Sequence, residues 1–124
     1  MSLFTIDISS LLSLPVGSIS EFQFEQDIPE ETWEDLICTE SLSMSVKLIR
    51  EDYGINCLLQ KITTTVTIPS EGIEEKLVEL DNISREFRLK KTEKDTDDIE
   101  YINLHDATID LSRVIEQELL IAGL

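Results

Sequence analysis

The sequence is poor in the residues that most active sites require. It has four glycines, two cysteines and one histidine in 124 residues. Four glycines leave little room for a glycine-rich phosphate-binding loop. The chain is also too short for a TIM barrel, which needs roughly 200 residues or more. We therefore expect one domain, spanning residues 1–124, with a single hydrophobic core.

Targeting and membrane-spanning signals are also lacking. A transmembrane helix needs about 18 consecutive apolar residues, and no segment of the sequence approaches this length. The N-terminal segment carries no basic residue, whereas a secretory signal or a transit peptide requires one. The sequence therefore predicts a cytosolic protein that makes no membrane contact.

The histidine and the cysteines form no recognisable catalytic or metal-binding pattern. A nucleophilic triad would need His105 as its base, and no spacing suggests a serine or cysteine partner. Tetrahedral zinc sites use four ligands, commonly in close pairs, whereas Cys38 and Cys57 each stand alone. In a reducing cytosol these cysteines are expected to be buried thiols rather than a disulfide. We expect no catalytic residue, no metal and no cofactor.

Negative charge dominates the chain and is unevenly distributed. The 26 acidic residues outnumber the 10 basic ones, which gives a formal charge of −16. No Lys or Arg precedes Lys47, so the first 46 residues carry −9 and the remainder −7. Such a field repels nucleic acid and attracts basic proteins, although it also serves solubility. The predicted partner surface consists of Glu21, Glu25, Asp27, Glu30, Glu31, Glu34 and Asp35.

One short window has the opposite charge. Residues 85–94 contain five basic and two acidic side chains. This window is either a phosphate-contacting patch or the outer face of a strand in an acidic protein. Under the first interpretation, the residues that contact RNA are Arg85, Arg88, Lys90 and Lys91.

Hydrophobic periodicity predicts a mainly antiparallel sheet. Residues 42–48 alternate between apolar and polar, which is typical of a half-buried strand. A second long strand, residues 57–69, is rich in β-branched side chains and forms a hairpin with the first through a turn at 51–54. Its apolar residues include Leu58, Ile62, Val66 and Ile68.

The remaining segments are predicted to be shorter elements. Strands are expected at residues 6–8, at 19–24 with one irregularity, at 85–91 and at 99–104. A helical turn at 9–15 leads to a reversal at Gly17. Trp33 anchors an acidic loop at 26–35, and residues 92–98 form a polar loop. Residues 71–80 are expected to form a short helix with Ile73, Leu77 and Leu80 on one side.

The C-terminal segment gives the clearest helical pattern. Its apolar stripe consists of Leu111, Val114, Ile115, Leu119 and Ala122. Asp110 is expected to cap the helix N-terminus, and Gly123 to end the helix. The predicted fold class is α+β: a mainly antiparallel β-sheet, either open or curled towards a barrel, with a C-terminal amphipathic helix packed on it.

Both ends of the chain carry motifs of a known family. The C-terminal segment has an Ile-Asp-Leu helix start followed by Glu-x-Glu-Leu-Leu. The N-terminal segment, residues 4–25, has a strand, a Leu-Leu turn and a Pro-x-Gly reversal. Together they resemble the YceD-like proteins, named for large ribosomal RNA subunit accumulation. The matching C-terminal positions are Ile109, Asp110, Leu111, Glu116, Glu118, Leu119 and Leu120.

The chain departs from this family in its centre. Members typically carry Cys-x-x-Cys-Leu with an Arg before the second Cys. Here only Cys57 and Leu58 of that motif remain. The resemblance therefore implies either a divergent, metal-free member or a shortened chain, and metal cannot bind by that route.

The resemblance implies a non-enzymatic cytosolic factor for large-subunit ribosomal RNA accumulation and ribosome assembly. At this charge, the factor is expected to act by protein–protein contacts with a basic ribosomal or RNA-processing protein, and direct RNA contact would be weak. The alternative is a small-ligand or structural β-rich binding domain. A ligand-binding domain should contain an apolar cavity of roughly 300 Å³ or more.

Overall fold

In a computed structural model, residues 4–72, 74–89 and 100–124 are described. They form two sheets, two α-helices and a 3₁₀ turn at Pro69–Glu71. In chain order the elements are β1 (Thr5–Asp7), α1 (Ser9–Leu12), β2 (Ile19–Gln26), β3 (Ile37–Cys38), β4 (Leu42–Glu51), β5 (Gly54–Thr67), β6 (Lys76–Arg88), β7 (Glu100–Tyr101), β8 (Thr108–Asp110) and α2 (Ser112–Gly123).

The larger sheet contains six strands in the order β2-β4-β5-β6-β7, with β3 also paired to β5. All its pairings are antiparallel except that of β6 with β7. Strands β1 and β8 form a separate antiparallel pair. The predicted α+β class with a C-terminal helix is confirmed. The sheets formed by the described strands do not close, so of the two predicted forms they take the open one rather than the barrel-like one.

The core lies between one face of the larger sheet and a layer made of the N-terminal segment, α1 and α2. On β4, the predicted alternation directs Leu42, Met44, Val46 and Leu48 inwards, and all four are buried. The buried apolar residues of the described chain form one cluster. Burying an aliphatic side chain of this size contributes about 1.5–3 kcal/mol. The pairing of sheet and helix is therefore held mainly by this shared core.

Several local predictions are confirmed. A turn at Asp52 and Tyr53 joins β4 to β5, as the hairpin prediction required. The short helix α1 follows β1, and Gly17 has a positive φ of 96° at the reversal. None of the helices in the described part of the chain is long and apolar enough to cross a membrane.

A β-bulge in β5 changes which side chains face the core. The register between β4 and β5 shifts by one residue at Gln60. As a result Leu59 and Ile62 are both buried, whereas Leu58 lies on the outer face and is half-buried. Leu58 therefore lies on the opposite face of β5 from Ile62 and Val66. A one-residue shift moves every side chain beyond it to the other face, and strict alternation cannot anticipate this.

The predicted helix at residues 71–80 is also wrong. After the 3₁₀ turn, the chain enters β6 at Lys76, and Lys76–Leu80 pairs with Ile62–Val66 of β5. Leu77 is exposed and Leu80 is half-buried, while Ile73 lies outside the described residues. Pairing with a long neighbouring strand satisfies the backbone groups of this segment, and this outweighs the weak helical spacing of its apolar residues.

Strand β2 is more regular than its sequence suggests. Ile19 is exposed on the outer face, whereas Phe22 and Phe24 are half-buried on the inner face. The pairing of β2 with β4 runs without a register shift, so the predicted irregularity is absent from this strand.

The C-terminal helix differs from its prediction at its last turn. Val114, Ile115 and Leu119 are buried as predicted, but Ala122 is exposed. Gly123 is a buried residue of the helix, and a Cβ there would lie 2.9 Å from Cδ1 of Ile68. Gly123 is the last residue of α2, as predicted, and it also packs closely against Ile68.

Candidate interaction surface

Two backbone hydrogen bonds join the residues just before β2 to Arg50 of β4. The N–H of Gly17 donates to the carbonyl oxygen of Arg50 at 2.7 Å. The N–H of Arg50 donates to the carbonyl oxygen of Ser18 at 2.8 Å. The positive φ of Gly17 allows the chain to make this reversal without strain. Beyond these two hydrogen bonds, β2 pairs with β4 along its whole length. This pairing determines which face of the sheet each side chain of β2 occupies.

The acidic loop after β2 is held by three buried apolar residues, Ile28, Trp33 and Leu36. The Trp33 ring stacks on Phe4, with ring centroids 6.1 Å apart and ring planes 9° from parallel. The prediction that Trp33 anchors this loop is confirmed. Since the apolar residues point inwards, the acidic residues between them face the solvent.

All seven residues of the predicted partner surface are exposed. Glu21 and Glu25 lie on the outer face of β2, and Asp27 accepts a hydrogen bond from the Ser41 hydroxyl. The described part of the chain contains two ion pairs, and neither involves these residues. Lys47 lies opposite Glu21 in the register but forms no ion pair with it. We call this set the acidic surface: Glu21, Glu25, Asp27, Glu30, Glu31, Glu34 and Asp35.

Two of the four predicted phosphate contacts, Arg85 and Arg88, are described by the structure, and both are engaged with neighbouring groups. Arg85 forms an ion pair with Glu118 of α2 and donates to the carbonyl oxygen of Ser84 at 2.9 Å. Lys90 and Lys91 lie outside the described residues.

Arg88 is engaged in a similar way. It pairs with Glu86 at 3.1 Å, and its guanidinium lies 5.9 Å from the centroid of the Tyr53 ring. A phosphate group would have to compete with a carboxylate at Arg85 and at Arg88. For residues 85–89, the described part of this window, the geometry therefore favours a strand surface over a phosphate site.

The residues that carry the family resemblance are mainly structural. Cys57 is fully buried, and burial raises the pKa of its thiol to about 12, although nearby Arg85 acts in the opposite direction. Asp110 accepts a hydrogen bond from the N–H of Ser112 at 2.9 Å, but the N-cap residue of α2 is Leu111, so the prediction that Asp110 is the N-cap is wrong by one residue. Leu111 and Leu119 are buried, whereas Leu58, Glu116, Glu118 and Leu120 are half-buried.

His105 is exposed in a turn, where its backbone N–H donates to Oδ1 of Asn103 at 3.0 Å. Both cysteines are free and buried. Within the described ranges, no three His, Cys, Asp or Glu side chains are grouped so that they could hold a metal ion.

A small pocket lies near the end of α2 and the start of β6. Its volume is about 80 Å³, and three of its lining residues are charged: Glu71, Glu74 and Lys76. Pockets for small ligands are usually apolar and roughly 300–1,000 Å³ in volume. This pocket therefore does not favour the ligand-binding alternative.

One feature of strand β2, which carries part of the acidic surface, was not predicted from the sequence. Strand β2 is an edge strand whose one partner among the described strands is β4. A signal was present in the sequence, because Ile19–Gln26 contains no proline and no lysine, the residues that commonly protect sheet edges. Its edge position could not be predicted, since the strand order depends on long-range pairing.

Comparison with known proteins leaves the family open. No protein-family model matches this sequence, no curated protein matches it, and no solved structure matches its fold.

Proposed function

We propose that this protein is a non-enzymatic factor that binds a basic protein through its acidic surface. We further propose, from the resemblance to the YceD-like proteins, that it acts in the cytosol in large-subunit ribosomal RNA accumulation and ribosome assembly. The partner is then a basic ribosomal or RNA-processing protein.

The observation that carries this proposal is the presentation of the acidic surface. Its seven carboxylates are exposed and belong to no ion pair within the described chain, and they occupy a strand and a loop that buried residues hold in place. Exposed charges of one sign accelerate association with an oppositely charged partner. Because the surface is already ordered, binding would not require the loop to fold first.

The test compares two variants of equal charge. In the first, Glu25, Glu30, Glu31 and Glu34 are replaced by Gln. In the control, the exposed residues Glu71, Glu74, Glu75 and Glu79 are replaced by Gln, which removes the same charge elsewhere. The ligand is a purified basic large-subunit ribosomal protein identified by capture from lysate.

Association rates are measured between about 50 and 300 mM salt, where screening of exposed charges changes strongly. We expect the first variant to associate at least about tenfold more slowly at low salt and to lose most of its salt dependence. The control variant should retain most of the association rate at low salt and most of its salt dependence. Equal behaviour of the two variants would show that net charge, rather than the acidic surface, governs binding.

The cellular part of the proposal is tested separately. Depletion of the protein should lower large-subunit ribosomal RNA relative to small-subunit RNA, and wild-type protein should restore the ratio. The first Gln variant should restore it poorly. An unchanged ratio after depletion would refute the ribosomal assignment and leave the binding test unaffected.

A further inference from the structure

We infer that the free edge of β2 binds an extended basic segment of the partner as an added antiparallel strand. This inference rests on the proposed function, because it specifies how a basic protein engages the acidic surface. It adds that recognition uses the backbone of β2 as well as charge.

The hydrogen-bonding pattern shows which groups are available. In an antiparallel pair, residues that exchange hydrogen bonds alternate with residues that do not. Arg50 donates to Ser18, so the even-numbered residues of β2 direct their backbone groups towards β4. The backbone groups of Ile19, Glu21, Gln23 and Glu25 then point away from the sheet. No described strand pairs with them.

The edge lacks most of the features that usually block strand addition. Strand β2 is eight residues long, pairs in continuous register and contains no proline, lysine or bulge. Natural sheets commonly protect a long edge by one of these features. A regular edge of this length provides enough backbone groups for recognition by strand addition.

The two faces of β2 specify the chemistry of the added strand. On the outer face, Glu21 and Glu25 are exposed and would lie beside basic side chains of the partner. On the inner face, Phe22 and Phe24 are half-buried, with ring centroids 6.4 Å apart. Apolar side chains of the added strand would cover these rings. The matching sequence therefore alternates Lys or Arg with Val, Ile or Leu.

The same charges disfavour a second copy of this chain as the occupant. In a symmetric antiparallel pair centred on Gln23, Glu21 of one copy would lie opposite Glu25 of the other. Like charges in directly opposite positions destabilise a strand pair. The edge is thus protected against self-association by charge, and this protection becomes an attraction when the added strand is basic.

The probe is a synthetic peptide of about nine residues, long enough to span β2, in which Arg alternates with Val. The control peptide has the same composition with its Arg residues grouped together. Both carry the same charge, but the control cannot place Arg on one face and Val on the other. We expect the alternating peptide to bind at least about tenfold more tightly.

Two substitutions separate backbone pairing from charge. Gln23→Pro removes an N–H that points away from β4, so the sheet loses no hydrogen bond, and edge strands tolerate proline. Gln23→Thr is the control that keeps this N–H. Gln23→Pro should weaken binding of the alternating peptide at least about tenfold, whereas Gln23→Thr should leave it nearly unchanged.

Amide hydrogen exchange of the wild-type protein tests the inference without any substitution. In the free protein, the amides of Glu21, Gln23 and Glu25 should exchange quickly, and those of Phe22 and Phe24 slowly. With the alternating peptide at about ten times its Kd, exchange at the first three positions should slow about tenfold. This measurement decides the matter if Gln23→Pro fails to fold.

The outcomes distinguish the two proposals. If the alternating and grouped peptides bind equally and exchange at Gln23 is unchanged, strand addition is refuted. If, in that case, the double substitution Glu21→Gln and Glu25→Gln still weakens binding of the alternating peptide, the acidic surface remains the partner site. If neither the proline nor the Gln substitutions alter binding of the alternating peptide, strand addition is refuted and the proposed function loses its support.

Discussion

Arg85 of β6 and Glu118 of α2 form an ion pair that joins the larger sheet to the C-terminal helix. The two residues are 33 positions apart in the sequence. Arg85 is one of the predicted phosphate contacts, and Glu118 is one of the positions that carry the family resemblance. The contact between them was not predicted from the sequence. Their side chains are 32% and 22% exposed, so solvent screens the pair only in part.

This ion pair should contribute little to stability. In a double-mutant cycle with Arg85→Gln and Glu118→Gln, we expect a coupling energy of about 0.5–1 kcal/mol in urea unfolding, as is usual for partly exposed pairs. Arg113→Gln, on the exposed side of α2, is the control and should show no coupling with Glu118→Gln. A coupling of several kcal/mol would mean that the pair is effectively buried.

The apolar stripe of α2 should be essential for folding. Leu119 is 0% exposed, so Leu119→Asp buries a charge without a partner and should lower the free energy of unfolding by roughly 3–5 kcal/mol. Ile121 is 69% exposed on the same helix, and Ile121→Asp should change stability by about 0.5 kcal/mol or less. Thermal melts of both variants test this difference. Similar melting temperatures would show that the helix does not pack as described.

The turn into β5 should tolerate no side chain at Gly54. Its φ is 146°, and a Cβ there would lie 2.2 Å from the carbonyl oxygen of Phe87. Gly54→Ala should therefore cost about 3 kcal/mol or more, because the backbone must move. Gly72→Ala is the matched control, since Gly72 has a φ of 118° and open space around it. It should cost only the conformational strain, about 1–2 kcal/mol, in chemical denaturation.

Cys57 should be unreactive in the native protein. With its pKa at about 12 and no exposed surface, roughly one thiol in ten thousand is ionised at pH 8. Its modification by a disulfide reagent should therefore require unfolding, and its rate should rise with denaturant. Fast labelling of Cys57 in native buffer would contradict this burial.

The same thiol predicts a loss of stability at high pH. Its pKa is raised by folding, so above the unfolded value of 9.0 the unfolded chain ionises while the native protein keeps its proton. Stability from this group is complete below pH 9 and should have fallen by about 1.4 kcal/mol at pH 10. Cys57→Ala should lack this part of the decline when unfolding is compared at pH 8 and pH 10. Parallel pH profiles of the two proteins would argue against it.

Local sequence patterns were sufficient for the elements whose partners are adjacent in the chain. The alternation of β4, the turn at Asp52 and Tyr53, and the apolar stripe of α2 were all predicted from short windows. These features depend on side-chain period and turn chemistry, which a short segment determines by itself. The acidic surface was predicted from the distribution of charge alone, since seven of the nine acidic residues before Lys47 lie between Glu21 and Asp35.

Only the tertiary structure decided the features that depend on distant segments. The segment that begins at Lys76 became a strand because β5 offered it backbone partners, and the bulge at Gln60 placed Leu59 rather than Leu58 in the core. Arg85 met Glu118 because α2 packs across the sheet, and β2 became an edge strand because of the strand order. Backbone pairing and packing join residues far apart in the chain, so short-range periodicity cannot encode them.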